Sequence, residues 1–497
     1  DQAKSKGAKG DGFDKIEQRL KQPDQEILKA SKTPAEAPPQ QPNILDSLKL
    51  DQAITLAKKK AKDGDPEQAK RIYQDILAKL PKNKRASDGL KRLVGKTVGK
   101  ASKGQNPSQD QLQALITFYS QGLLQQALKQ AETLVQQFPQ SAVLFNIQGA
   151  VLKGLEQLEA SVEAYNKALA LKPDEAEVYI NMSIAKLQTN SWKEGIELRK
   201  WRWHTKQHQI YKRSFSGREW DGEELIHDKT LLIWAEQGPG DVVIWASCIS
   251  HYAKICGKII IECHPKLVEL LKRSFPNILI RSSDNRPIDS LEDFDFHVPM
   301  ETLFGYACLE GACTEVQSSY LFPDPERVKL WSTRLRNISS RATVGLSWKS
   351  PLMTTQRAKN YPELSLWGRT LQKYKSKFTF VNLQSTDYRD DIAYFNDHFG
   401  CEIVHFDQLD LYNDLSDVAA LSKALDCSIS VATAAATISA AVGTHTIIPT
   451  WAQSSWNNIL LNSRGPSVDI LQKNTSESWG PVFEEVATKL KVLDAEY

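Results

Sequence analysis

The chain has 497 residues, 41% of them hydrophobic and 25% charged, with a formal net charge of +3. That length exceeds one compact core and predicts two or three domains of ordinary globular composition. The near-neutral charge gives no ground for nucleic acid as a partner. No stretch reaches the roughly 18 apolar residues that a membrane-spanning helix needs.

Residues 1–45 are rich in Lys, Gln, Pro and Ala, end in "TPAEAPPQQPN" and read as a disordered tail. From 46 to 205 the pattern is helical and repeats. In "SAVLFNIQGAVLKGLEQLEASVEAYNKALALKPDEAE", Gly149, Ser161, Tyr165, Ala168 and Pro173 fall at the offsets of a 34-residue helix-turn-helix unit. Ala127 and Pro139 stand one period earlier and Gly195 one period later, while Ala69, Tyr73 and Pro81 mark an out-of-phase unit. Small residues let paired helices approach, the aromatic fills the gap, and Pro stops the second helix. The basic stretches at 58–62 and 82–100 read as solvated helix faces and linker, with the linker near 84–107.

After "RKWRWHT" (199–205) short β-rich runs alternate with helices. Buried parallel strands are predicted at 230–236, 257–263, 277–283, 295–300, 342–348, 378–384, 402–406, 427–433 and 445–451. The alternation predicts two doubly wound α/β domains, at 206–335 and 336–497. All seven cysteines lie between Cys248 and Cys427, an odd number with no Cys-x-x-Cys pair. They read as buried free thiols of a reducing cytoplasm, and no metal site is expected from their spacing.

In open parallel sheets, ligands bind beyond the carboxyl ends of the strands. Four such places hold polar side chains. The first is the knot "EQGPGD" (236–241) between a strand and a helix. Asp241 at a helix N-terminus is suited to act as a general base, and equally to cap a structural turn. The second is "VGLSWKS", with Lys349, Ser350 and, further on, Arg357 able to offset charge on a leaving diphosphate. The third is "FVNLQ", where Asn382 and Gln384 could bond a base or ribose. The fourth is "SISVATAAATISAAVG", where Thr433 and the amides of 434–436 form an anion-binding helix start. In "LDLYNDLSD" the acids invite a metal, but Asp414 or Ser416 as a helix cap is the simpler reading.

These segments, in this order, resemble bacterial tetratricopeptide-repeat-containing glycosyltransferases of the two-Rossmann (GT-B) type. "EQGPGDVVIWASCI" is similar both to their Glu-Gln-Gly-Leu-Gly-Asp turn and to the Gly-Asp-Val-Val turn of heptosyltransferases. "WKEGIELRKWRW", "REWDGEEL", "QRAKNYPELSLWGRTL" and "SWGPVFEEVATKL" extend the resemblance over about residues 110–490. It implies tetratricopeptide repeats followed by an acceptor domain and a nucleotide-sugar donor domain, with metal-independent transfer and no cofactor. Asp241 would be the base, and Glu236 would hold the turn or line the acceptor side. Lys349, Ser350, Arg357, Asn382, Gln384 and Thr433 would bind the donor. The repeats would hold a protein or peptide acceptor, flagellin or another surface protein, and a homo-oligomer stays open. One departure stands out. Aligned on Gly443, Ala432 and Thr437 occupy the places where relatives often carry Asp and His. The rival reading is therefore an inactive glycosyltransferase-like scaffold that binds a partner through its repeats.

Overall fold

The computed structural model describes residues 43–46, 48–62, 66–80, 83–89, 106–215, 217–283, 293–312, 319–350, 361–386, 388–451, 467–473 and 478–496. Arg357 and residues 1–42 of the tail lie outside them. The chain divides into two compact units, residues 1–104 and 105–497. The division falls inside the linker read at 84–107.

In the first unit, helices α1 (Leu50–Lys62) and α2 (Pro66–Lys79) pair through fully buried Ala53, Ala57 and Ala69, with Ile54, Ile76 and Tyr73 filling the seam.

The second unit opens with helical pairs α3 (Gln109–Ser120) and α4 (Leu124–Gln137), α5 (Ala142–Gly154) and α6 (Leu158–Leu171), and α7 (Ala176–Gln188) and α8 (Trp192–Arg199). The repeat is written into the backbone. Gly122, Glu156 and Asn190, each 34 residues from the next, all turn with positive φ (74°, 62° and 58°) between the helices of a pair. Packing follows the same period. A Cβ on Gly149 would lie 2.5 Å from the Tyr165 ring, and the Ser161 hydroxyl donates to the Gly149 carbonyl at 2.7 Å. Any larger residue at 149 would push the aromatic out of its seat.

Two parallel sheets follow. The first has the order β1-β5-β2-β3-β4, from β1 (Arg218–Glu219), β2 (Thr230–Trp234), β3 (Lys258–Cys263), β4 (Leu279–Ser282) and β5 (Phe296–Pro299). The second has the order β11-β10-β9-β6-β7-β8, from β6 (Ala342–Ser347), β7 (Phe378–Asn382), β8 (Ile403–Val404), β9 (Cys427–Ser430), β10 (His445–Trp451) and β11 (Val468–Lys473). Every pairing is parallel. Their central strands are buried almost end to end, as strands covered by helices on both faces must be. The covering helices are α9 (Pro239–Trp245), α10 (Pro265–Ser274), α11 (Met300–Leu309), α12 (Pro325–Ile338), α13 (Leu364–Gln372), α14 (Arg389–Phe399), α15 (Leu415–Ala424), α16 (Ala434–Ala441) and α17 (Gly480–Glu496). The fold is thus a helical repeat region followed by parallel-sheet α/β structure.

The second sheet keeps a core of its own around Val344, Trp348, Trp367 and Phe380, and shares another with the first sheet. One apolar cluster runs from Val242 and Leu267 beside the first sheet to Leu421, Ala436 and Ile438 beside the second. Helix α9 packs on α16, and α10 packs on α15. At the other end, α8 packs on α11, which fastens the last repeat to the first sheet. Cys248, Cys263, Cys401 and Cys427 are buried thiols outside any disulfide, whereas Cys256 and Cys308 are only half-buried, and burial pushes the thiols of Cys263 and Cys427 up to about 12. Among the described residues no helix is long and apolar enough to cross a membrane.

Candidate functional site

The turn 236–241 leaves the carboxyl end of β2 and enters α9. Pro239 occupies the first helical position, where its missing N–H costs nothing. Gly238 is the N-cap, and its amide donates to the Asp241 carboxylate at 3.3 Å. Asp241 therefore does reach back to cap the turn, and it is half-buried at the helix start. Capping and base chemistry are compatible, because a carboxylate holds more acceptor sites than one amide uses.

Gln237 takes φ +71°, a left-handed conformation uncommon for a residue with a side chain and one that costs roughly 1–3 kcal/mol. Its side-chain amide donates to Glu301 at 2.7 Å, which helps to hold it there. Behind the turn lies a buried charge network. Arg202, 1% exposed, meets Glu236 at 2.9 Å, Glu301 at 3.4 Å and the Thr302 hydroxyl at 2.7 Å. Arg199 meets Glu301 at 2.5 Å. Glu236 is completely enclosed, and burial, opposed by Arg202 and reinforced by Glu301, pushes its carboxyl up to about 8. Glu301 moves the other way, because Arg199 and Arg202 outweigh its own burial. The surroundings thus favour the charged form at Glu301 and oppose it at Glu236. The structure places Glu236 beneath the turn, bonded to the segment that follows the repeats, rather than on an open face.

The second sheet presents its own turns at the same end. Trp348 and Lys349 follow β6, and their amides donate to the Gln384 side-chain oxygen at 3.1 and 3.0 Å. The Ser347 hydroxyl makes a third bond to that oxygen at 3.3 Å. Gln384 and Asn382 are buried, and Asn382 accepts from the Gln384 amide at 2.9 Å and contacts His405 at 3.3 Å. Gln384 fixes the 347–349 backbone from behind, and Asn382 in turn holds Gln384. Lys349 pairs with Asp391 at 2.6 Å, and the Trp348 indole donates to the same carboxylate oxygen at 2.7 Å. Ser350 is half-buried on that loop.

Thr433 is the N-cap of α16 in extended conformation, but its hydroxyl contacts Ser430 at 3.1 Å instead of capping the helix. The first-turn amides have no acceptor carbonyl inside their own helix. A Cβ on Gly240 would stand 3.4 Å from the Ala434 nitrogen and 3.5 Å from the Thr437 hydroxyl oxygen. Gly240, next to Asp241 in the chain, and Ala434 at the start of α16 stand 194 residues apart in sequence and are thereby brought together. Thr437 is buried and donates to the Ala434 carbonyl at 3.0 Å, while Ala432 is exposed. In the 410–417 segment the acids are occupied locally. Asp410 accepts from the amides of Tyr412 and Asn413, and Asp414 caps α15 through the Asp417 amide at 2.9 Å. Asp417 accepts from the Trp331 indole at 2.8 Å.

Arg199, Arg202 and Glu301 escape sequence reading. Nothing in "RKWRWHT" says that an Arg between two Trp points inward to an acid 34 residues on.

No known family description matches the chain. Protein FlbA of Caulobacter vibrioides is 25% identical over 406 residues, covering 71% of this chain and 67% of FlbA. A glycosyl transferase family 9 structure from Veillonella parvula is similar at 9% identity and a TM-score of 0.42, covering 56% of this chain and all of that one. MamA from Desulfovibrio magneticus is similar at 18% identity and a TM-score of 0.18, covering 30% of this chain and 90% of MamA.

Proposed function

We propose that the chain is a glycosyltransferase that moves a sugar from a nucleotide-sugar donor to a hydroxyl of a protein held by the helical repeats. The observation that carries this reading is the convergence of Gly240 on Ala434. It sets a half-buried carboxylate, Asp241, beside a helix start whose free amides suit a phosphate. Asp241 takes the acceptor proton, the hydroxyl oxygen attacks the sugar carbon, and the bond to the nucleotide phosphate breaks. The α16 amides and Lys349 stabilise the charge that gathers on the departing phosphate. The ordered series of motifs supports the same reading, as does the Arg202 network, which ties the repeats to the turn that carries the base. A donor that is a nucleotide-diphosphate hexose or heptose, or a CMP-linked sugar acid, fits this chemistry.

The scaffold reading is favoured by one observation, the absence of an acid–base group at Ala432 and Thr437. A thermal-shift screen of nucleoside diphosphates, CMP and their sugar conjugates separates the two, with wild type run beside Lys349→Ala. Stabilisation of wild type and a weakened shift in the variant are expected. No shift with any nucleotide sinks the transferase. Once a donor is found, Asp241→Asn should abolish transfer while donor binding persists, and unchanged turnover removes Asp241 as the base.

A further inference from the structure

The Lys349 ammonium lies on a side of the second sheet that its place in the sequence does not suggest. Strand β6 runs between β9 and β7. The Val431 amide donates to the Ser347 carbonyl at 2.9 Å, so the end of β6 adjoins the strand end that leads into α16. The two faces of the sheet are told apart by their core residues. Phe380 and Val381 in β7, and Ile447 and Ile448 in β10, go to different apolar clusters, as alternating side chains must. Phe395 of α14 belongs with Phe380 and Ile447, whereas Ala436 and Ile438 of α16 belong with Val381 and Ile448. Helices α14 and α16 therefore cover opposite faces. The Lys349 ammonium pairs at 2.6 Å with Asp391 in the first turn of α14, and so is drawn away from the α16 amides.

The pair is not a loose surface contact, since its side chains are only 20% and 13% exposed. Trp348 is buried and sits edge-on to Phe395 with ring centroids 5.3 Å apart. Its indole N–H donates to the same Asp391 oxygen at 2.7 Å. The carboxylate is thus fixed by a buried aromatic and by a helix start, where negative charge is favoured. The ammonium is the movable partner, carried on a long flexible stem. Its backbone stays in place, because Gln384 holds the Lys349 amide at 3.0 Å.

We propose that Asp391 is a resting counter-charge for Lys349, and that the ammonium leaves it for a ligand phosphate bound at the start of α16. Asp391 is then a positioning residue with two effects. It keeps the unliganded protein from holding an unpaired, poorly solvated cation, and it competes with the phosphate, which limits how tightly a spent nucleotide is retained. The inference rests on the reading that α16 and Lys349 receive the donor phosphate. It adds the group with which that phosphate must compete.

The test measures binding of inorganic diphosphate, UDP and CMP to the full chain by calorimetry at fixed ionic strength. Asp391→Asn and Asp391→Ser both remove the charge but leave the Trp348 indole different partners, so an effect common to the two belongs to the charge. Both should bind diphosphate about tenfold tighter than wild type, the equivalent of one charge-assisted hydrogen bond no longer made to Asp391. On a Lys349→Ala background the gain should vanish, because the two residues act as a pair. With a donor in hand, Asp391→Asn should lower its KM and slow kcat, as a retained product would. A merely structural Asp391 would instead raise KM and lower the melting temperature. Unchanged or weaker binding in both variants overturns the exchange, as does a gain that survives without Lys349. If no probe binds wild type or either variant, the phosphate site falls and the exchange with it. Sugar transfer is read separately. Transfer without the gain overturns the exchange alone, and the gain without transfer from any donor overturns the transferase alone.

Discussion

Gly240 faces the backbone of Ala434 so closely that a Cβ added to it would lie 3.2 Å from the Ala434 α-carbon. The contact is between main chains, and no flexible side chain can swing aside to admit a larger residue. The neighbour across the turn favours glycine here, since a Cβ fits only if the Ala434 backbone gives by a few tenths of an ångström. Gly240→Val is expected to cost roughly 1–3 kcal/mol of stability, the usual penalty of overpacking. Its donor-induced thermal shift should fall further than that of Gly238→Ala, since a Cβ on Gly238 meets nothing nearer than the Asp241 carboxylate at 3.5 Å. Equal loss in the two variants would show that the close approach has no part in the site.

Arg202 joins the post-repeat segment to both Glu236 and Glu301. Arg202→Met should destabilise by about 1–3 kcal/mol in denaturant unfolding, because it removes the hydrogen bonds that Glu236 and Thr302 receive in a buried place and one of the two cations beside Glu301. Glu236→Gln should cost less, since burial opposes a charge on Glu236. The sign of the pH effect follows from that raised pKa. With the folded carboxyl at about 8 and the unfolded one near its ordinary 4.5, the folded state binds a proton that the unfolded state releases. This group's contribution to stability is full below about pH 4.5 and is lost as the pH rises toward 8. Glu236→Gln should flatten that fall in a pH series of melting curves; an unaltered slope contradicts the assignment.

Gln384 accepts three hydrogen bonds at one oxygen, two of them from the amides of Trp348 and Lys349. Gln384→Leu leaves those amides unmet in a buried place and should cost about 2–4 kcal/mol. Gln384→Glu keeps the acceptor and should restore the order of the 347–349 loop, read as recovered protease resistance there. A Leu variant as resistant as wild type would mean the loop is held by something else.

Much of this fold is legible in the chain, and the parts that are not share a cause. Each of the nine strands expected from apolar runs is present as β2 to β10. The two that escape, β1 and β11, are both outermost strands of their sheets. A strand with one open edge and partial exposure carries residues such as Arg218, Glu219, Asp469 and Gln472, and so shows no apolar run. The turns at 236–241 and 430–434 could be found because glycine, proline and small residues mark where chain must bend between strand and helix. Side-chain direction could not. Asn382 and Gln384 stand at a strand end, as a ligand contact would, yet point into the protein. Glu236 looks like its neighbour Asp241 in the sequence, and only the position of Arg202 separates a buried anchor from a half-buried carboxylate.

The apolar cluster shared by the two sheets limits what can be exchanged between relatives. Leu421, Ala436 and Ile438 belong to residues 336–497, yet they complete their packing against Val242, Leu267 and Leu271 of the preceding half. A chimera that imports a foreign second half would set an unmatched surface against α9 and α10. It would leave voids or clashes at the point where Gly240 and Ala434 have to meet. The transplantable block is the pair of sheets together, with Arg199 and Arg202 as the joint at which a different repeat array can be attached.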